Sequence, residues 1–195
     1  MHGVRFIAEN PRFRKHTETL HSLSRDNSHE EFLTDSTIPA IGFDKVKKEY
    51  SDTLGLTETP CSVDAICLLE NDSLVFIEFK NGRLNNTEIY GLRKKVYDSL
   101  LIFQDISGIS LTTLRSRATF VLVFRKDLNP KDDDNRQSLS IAPSRDKIIN
   151  QVFKLASKEL IRFDLERFKS YCFKDVHTYS PEEFEAYLRN KKSLL

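Results

Sequence analysis

Two short apolar runs dominate the hydrophobic pattern of the chain. Residues 62–69 read Ser-Val-Asp-Ala-Ile-Cys-Leu-Leu and residues 74–80 read Leu-Val-Phe-Ile-Glu-Phe-Lys, separated by Glu70-Asn71-Asp72-Ser73. Apolar runs of this length bounded by turn residues predict the two strands of a hairpin. The period of two places Leu74, Phe76, Glu78 and Lys80 on one face and Val75, Ile77 and Phe79 on the other. Apolar side chains on both faces are the signature of a strand in the middle of a sheet covered by helices. On the first strand Asp64 shares its face with Ile66 and Leu68. A three-residue loop at Glu70, Asn71 and Asp72 sets Leu69 opposite Ser73 and Asp64 opposite Glu78. A two-residue turn at Asn71-Asp72, or a four-residue loop, would put the two acids on opposite faces.

Further along, Ile89, Leu92, Val96, Leu100 and Phe103 recur at helical spacing and predict a helix over residues 88–105, with Thr87 as its cap and a basic opposite face. Residues 118–124 form an apolar run of strand length, and residues 43–52 read as a preceding helix. Residues 1–36 are polar and predict a flexible or weakly helical leader ahead of a core at 37–126. Residues 127–145, with Pro130, Lys131-Asp132-Asp133-Asp134 and Pro143, predict an exposed loop whose acid run is solvated. Residues 146–195 predict a helix-strand-helix extension packed on the same domain. Its helix is marked by Ile148, Ile149, Val152, Phe153, Leu155 and Leu160, and its strand falls within residues 171–179. Ser180-Pro181-Glu182-Glu183 is a capped start for the last helix, with Phe184, Tyr187 and Leu188 as its apolar stripe.

Directly opposed side chains have Cβ atoms about 4.5–5.5 Å apart. Two carboxylates at that distance repel, and one is driven towards its neutral form unless a cation lies between them. A hard divalent metal with oxygen ligands is the natural cation. The order of Asp64, thirteen intervening positions, Glu78-Phe79-Lys80 and a trailing helix and strand resembles the PD-(D/E)XK nuclease superfamily, over about residues 44–126. Val63 stands where that family's name has proline, and residues 55–59 are a poor match for the strand that usually precedes the first acid.

The resemblance implies an α/β fold: a restriction-endonuclease-like mixed β-sheet flanked by helices, core order α-β-β-α-β, with a C-terminal helical extension. It implies a metal-dependent nuclease with Asp64, Glu78 and Lys80 as catalytic residues. Mg²⁺ or Mn²⁺ would be held by Asp64, Glu78 and the Phe79 carbonyl, with Glu49 of the preceding helix as the extra acid and Glu58 behind it. Lys80 would orient the attacking water, and Lys94 or Lys95 is the candidate for a helix lysine that assists the site. Arg83, Arg93, Lys94 and Lys95 are the candidate phosphate contacts, with Arg115 and Arg117 beside the next strand. Tyr97 is a candidate for base stacking or for core. The expected partner is nucleic acid, DNA in the first instance, and a double-strand cut suggests a homodimer. The competing expectation is a non-catalytic interaction or nucleic-acid-binding module on a nuclease-like fold.

Composition narrows the remaining classes. A chain of 195 residues is long enough for one substantial core. No stretch approaches the roughly 18–20 apolar residues of a membrane helix, and the first eight residues are too poor in apolar side chains for a secretory signal, so a cytoplasmic protein is expected. Cys61, Cys67 and Cys172 lack metal-ligand spacing and read as packing residues, and the five histidines form no cluster with them. Six glycines include no phosphate-binding loop, which argues against ATP-driven chemistry. The net charge of +1 leaves any nucleic-acid surface to local clustering.

Overall fold

The computed structural model describes residues 5–26, 30–70, 73–130, 161–189 and 191–195. The chain begins with two short helices, α1 (Arg5–Glu9) and α2 (Pro11–Arg14), then β1 (Thr17–Thr19) and a single turn, α3 (Leu20–Leu23). A two-stranded ribbon follows, β2 (Arg25–Asp26) with β3 (Glu31–Phe32). Next come β4 (Pro39–Gly42), α4 (Phe43–Leu54), β5 (Ala65–Leu69) and β6 (Ser73–Lys80). The long helix α5 (Asn86–Ser107) and short α6 (Leu111–Arg117) lead to β7 (Ala118–Phe124). A 3-10 turn at Leu165–Phe168, β8 (Asp175–Tyr179) and α7 (Pro181–Leu188) complete the described elements.

The main sheet has six strands in the order β1-β4-β5-β6-β7-β8. It is antiparallel from β1 to β6 and parallel from β6 through β8. The fold is therefore mixed α/β, and residues 43–124 run helix, strand, strand, helix, short helix, strand. The strand preceding the first acid is β4, and it lies before α4; residues 55–59 contain no strand.

Alternation along β6 divides the core as its sequence predicts. Leu74 and Phe76 join the cluster that also holds Leu92, Val96 and Phe103 of α5, whereas Val75, Ile77 and Phe79 join the opposite cluster with Phe184 and Leu188 of α7. Each such side chain, taken fully from water, contributes roughly 1.5–3 kcal/mol. The α5 start lies earlier than Thr87: Asn85 caps it, accepting from the Glu88 N–H at 3.0 Å while Glu88 accepts from the Asn85 N–H at 2.8 Å. The Asn side chain and the glutamate three residues on satisfy two otherwise unpaired backbone donors, which is why the helix begins there.

The expected polar leader is instead built into the domain from residue 5 onward. Ile7 and Phe13 are buried in the cluster that contains α5, with Phe13 stacked on Phe103 at 5.5 Å, and Leu20 and Leu33 are buried on the other side of the sheet. Apolar residues are sparse in this stretch, but each of these four is buried, and β1 pairs with β4. The C-terminal segment likewise joins the sheet, since β8 pairs with β7. Ser180 and Glu183 form the predicted capping box of α7. The acid run at 131–134, most of the predicted loop and the helix predicted from Asp146 lie outside the described residues, as do Asn71 and Asp72. Cys67 and Cys172 are buried packing residues, and burial pushes the Cys67 thiol up to about 12. Among the described residues no helix is long and apolar enough to cross a membrane.

Candidate metal centre

The β5–β6 ladder runs from Leu69 opposite Ser73 to Ala65 opposite Ile77, the register that a three-residue loop requires. It stops one pair short of Asp64 and Glu78. The Asp64 N–H donates to the Ile77 carbonyl at 3.1 Å, so Asp64 and Ala65 both face Ile77 and the chain turns out of the ladder. One extra residue of this kind bends a strand and re-aims a side chain. The Asp64 carboxylate then reaches across, and its Oδ2 accepts the Phe79 N–H at 2.7 Å.

Alternate residues of a strand turn their backbone groups to the same side. Ile77 faces β5 through its carbonyl, so Phe79 directs both N–H and carbonyl to the side that β5 vacates. The acid-x-lysine segment thus presents a backbone oxygen beside Asp64.

Glu78 is fully buried at the end of an apolar strand face. Its Oε1 accepts from Lys95 Nζ at 2.6 Å and lies 3.2 Å from Lys80 Nζ; its Oε2 is buried without a hydrogen-bond partner among the described residues. Lys95 also lies 3.5 Å from Asp64 Oδ1, so one ammonium bridges the two acids. Burial, then the charge of Asp64, push the Glu78 carboxyl up to about 7 against the opposing pull of Lys95 and Lys80. Burial also raises Asp64, opposed chiefly by Lys95. For Lys95, burial disfavours the charge, but Glu78 and Asp64 outweigh it and hold the ammonium protonated above the ordinary lysine range.

Helix α5 positions both halves of this centre. One turn beyond Lys95, Asp98 accepts the Cys61 N–H at 2.8 Å and the buried Ser99 hydroxyl accepts the Val63 N–H at 2.8 Å. Spacings of three and four residues place Lys95, Asp98 and Ser99 on one helix face. The same face therefore aims a cation at the acids and pins the strand entry that carries Asp64.

The third acid near the centre is Asp44, not Glu49. The Phe43 N–H at the start of α4 donates to the Asp64 carbonyl at 3.0 Å, which brings the first turn of α4 to the site. Burial works to raise the Asp44 carboxyl, but the Ser62 hydroxyl and the Lys47 ammonium outweigh it and hold Asp44 below its ordinary value. Glu49 lies five residues later, about 140° around the helix at roughly 100° per residue. It pairs there with Lys15 at 2.6 Å and His16 at 3.0 Å. Glu58 is exposed in the loop after α4.

Asp44, Asp64, Lys80 and Lys95 line one cleft of about 810 Å³. Its opposite wall comes from the N-terminal segment, including Ser22, Arg25 and Asp26. Asn81, immediately after Lys80, ties the β2–β3 ribbon to the cleft edge, donating to Asp26 at 3.2 Å and to Glu31 at 2.9 Å. At Gly42 a Cβ would come within 3.0 Å of both Glu18 Oε1 and Leu23 Cδ2, so the glycine permits this wall to approach.

The expected phosphate contacts separate into distinct roles. Arg83 and Lys94 are exposed, while Lys95 is turned into the centre. Arg93 pairs with Asp164 at 2.8 Å and Arg115 donates to the Tyr171 carbonyl at 2.7 Å. Tyr97 rests edge-on against Phe168 while remaining partly exposed.

The donor set is oxygen-only: the Asp64 and Glu78 carboxylates, the latter with one buried oxygen unpartnered among the described residues, and the adjacent Phe79 carbonyl. That chemistry fits a hard divalent ion such as Mg²⁺ or Mn²⁺. Among the described residues no group of three or more His, Cys, Asp and Glu side chains is arranged to hold a metal. The chain matches no family model, no curated protein and no solved structure.

Proposed function

We propose that the protein is a divalent-metal-dependent nuclease of the PD-(D/E)XK type, hydrolysing phosphodiester bonds in DNA. The observation that carries this reading is the fully buried Glu78, with one carboxylate oxygen unpartnered among the described residues, joined through Lys95 to Asp64, which lines one cleft together with Lys80. Apolar strand faces do not retain buried acids without a strong compensating interaction. The run of α4, β5, β6, α5 and β7 supports a restriction-endonuclease-like topology.

In this reading Asp64, Glu78 and the Phe79 carbonyl hold the metal, and Asp44 rather than Glu49 is the α4 acid that lines the same cleft beside them. A bound Mg²⁺ or Mn²⁺ lowers the pKa of a ligated water and neutralises charge developing on the phosphate oxygens. Lys80, at the cleft surface, orients the attacking water and stabilises the phosphorane electrostatically. Arg83 and Lys94, exposed beside the cleft edge and on α5, contact backbone phosphates and position the strand without reading its sequence. A double-strand cut needs a second active site, so the reading carries dimerisation on substrate, which sedimentation with and without DNA tests.

The Lys95 ammonium favours a second reading. It already supplies the acids with a cation, as a non-catalytic module retaining a nuclease-like fold would need. The deciding experiment is cleavage of supercoiled plasmid, linear duplex and single-stranded substrates with Mg²⁺ or Mn²⁺, comparing the parent with Glu78→Ala and Lys80→Ala. Cleavage lost in both variants and in EDTA supports the nuclease. No cleavage of any substrate, with both variants folded, favours the module.

A further inference from the structure

We propose that Lys95 is a resident counter-ion that must leave the centre for a divalent metal to enter, so that metal loading and the outward swing of this side chain are a single linked event. The inference rests on the metal-centre reading and deepens it by naming what controls loading.

Three observations lead there. The Lys95 ammonium lies 2.6 Å from Glu78 Oε1 and 3.5 Å from Asp64 Oδ1, in the position from which one cation meets both acids. A metal ligated at about 2.1 Å to oxygens of the same two carboxylates would overlap it sterically and repel it electrostatically. With Lys80 also 3.2 Å from Glu78, the acids already face two ammonium groups, so a divalent ion added without displacement would leave an excess of positive charge even with Asp44 counted.

The displaced side chain also has somewhere to go. Lys95 lines the cleft with Asp44, whose charge already acts on it, and Ser62 and Lys47 hold the Asp44 carboxylate in place. The four-carbon stem of lysine lets its ammonium exchange one carboxylate partner for another without backbone movement. The site thus has two arrangements. In one, Lys95 closes the centre on Glu78 and Asp64; in the other, metal occupies the centre and Lys95 faces the cleft beside Asp44, where a phosphate would pass.

Linkage then requires that removing the resident cation strengthen metal binding, and coupling of this kind between two ligands is typically about 5- to 150-fold. Calorimetric titration of Mn²⁺ into the parent and into Lys95→Met is expected to show at least tenfold tighter binding in the variant, with circular dichroism confirming its fold. Equal or weaker binding in a folded Lys95→Met protein would overturn the proposal. Should that variant not fold, Mg²⁺ titration of the parent, followed by NMR of the lysine ammonium groups and of the Phe79 amide, decides the matter. A Lys95 signal that loses its paired character as the Phe79 amide shifts supports exchange; one unchanged while the Phe79 amide shifts refutes it. If neither protein binds Mn²⁺ and Mg²⁺ leaves the Phe79 amide unmoved, the metal-centre reading itself fails, and the inference with it.

Discussion

Replacing Glu78 with glutamine keeps the shape of the buried side chain and removes its ionisation, which makes the electrostatic cost of this residue measurable. The carboxyl ordinarily ionises near 4.5 and burial pushes it up to about 7. A folded-state pKa raised above the unfolded value means that the native protein binds the proton more tightly. The associated stability is fully present below about pH 4.5 and is lost as pH rises through about 7. At 1.36 kcal/mol for each pH unit of difference, the parent loses roughly 2–3 kcal/mol from this group between pH 5 and pH 8. The glutamine variant has no such dependence. Its weaker bond to Lys95 adds an offset that is nearly constant over this range, because Lys95 stays charged. Urea unfolding in EDTA at both pH values should therefore show the stability of Glu78→Gln rising relative to the parent by roughly 2–3 kcal/mol from pH 5 to pH 8. Parallel pH profiles for the two proteins would refute the reasoning, because they would mean that Glu78 titrates alike in the folded and unfolded chain.

The other predictions concern the supports of the centre. Asp44→Asn should lower metal-dependent cleavage at least tenfold while Glu49→Gln leaves it within about twofold, since only Asp44 lines the cleft; steady-state rates on one plasmid substrate compare them. Ser99→Ala strands the buried Val63 N–H and should cost about 1–3 kcal/mol in urea unfolding, with a larger effect on cleavage than on folding because Asp64 follows directly. Gly42→Ala places a methyl group 3.0 Å from the side-chain ends of Glu18 and Leu23, which can rotate aside, and should cost no more than about 1 kcal/mol in urea unfolding.

Much of the centre is legible in the chain because β6 is buried on both faces and its period of two has one solution. The faces of Leu74, Phe76 and Glu78 against Val75, Ile77 and Phe79 follow directly from that, and the strand at Ala118–Phe124 is an uninterrupted apolar run. The turn of Asp64 out of the ladder is not legible, because a backbone bulge leaves no mark in hydrophobic alternation. The separation of Glu49 from the cleft is hidden for a related reason: knowing which acid of α4 lines it requires knowing which helix end meets Asp64, and the Phe43–Asp64 contact sets that. A signal for Lys95 over Lys94 does exist in the sequence, since Lys95 shares a helical face with the polar pair Asp98 and Ser99 inside an otherwise apolar stripe. The N-terminal segment reads as a leader because its few apolar residues are widely spaced. Phe13 and Leu20 go to opposite sides of the sheet, and no local period records that.

The most direct test of the metal centre is the anomalous scattering of Mn²⁺ in crystals grown with the ion. One peak is expected within coordinating distance of the Asp64 and Glu78 carboxylates and the Phe79 carbonyl, with the Lys95 ammonium displaced towards Asp44. A saturating Mn²⁺ concentration that yields no peak there, with Lys95 still bridging Asp64 and Glu78, would contradict the metal-centre reading.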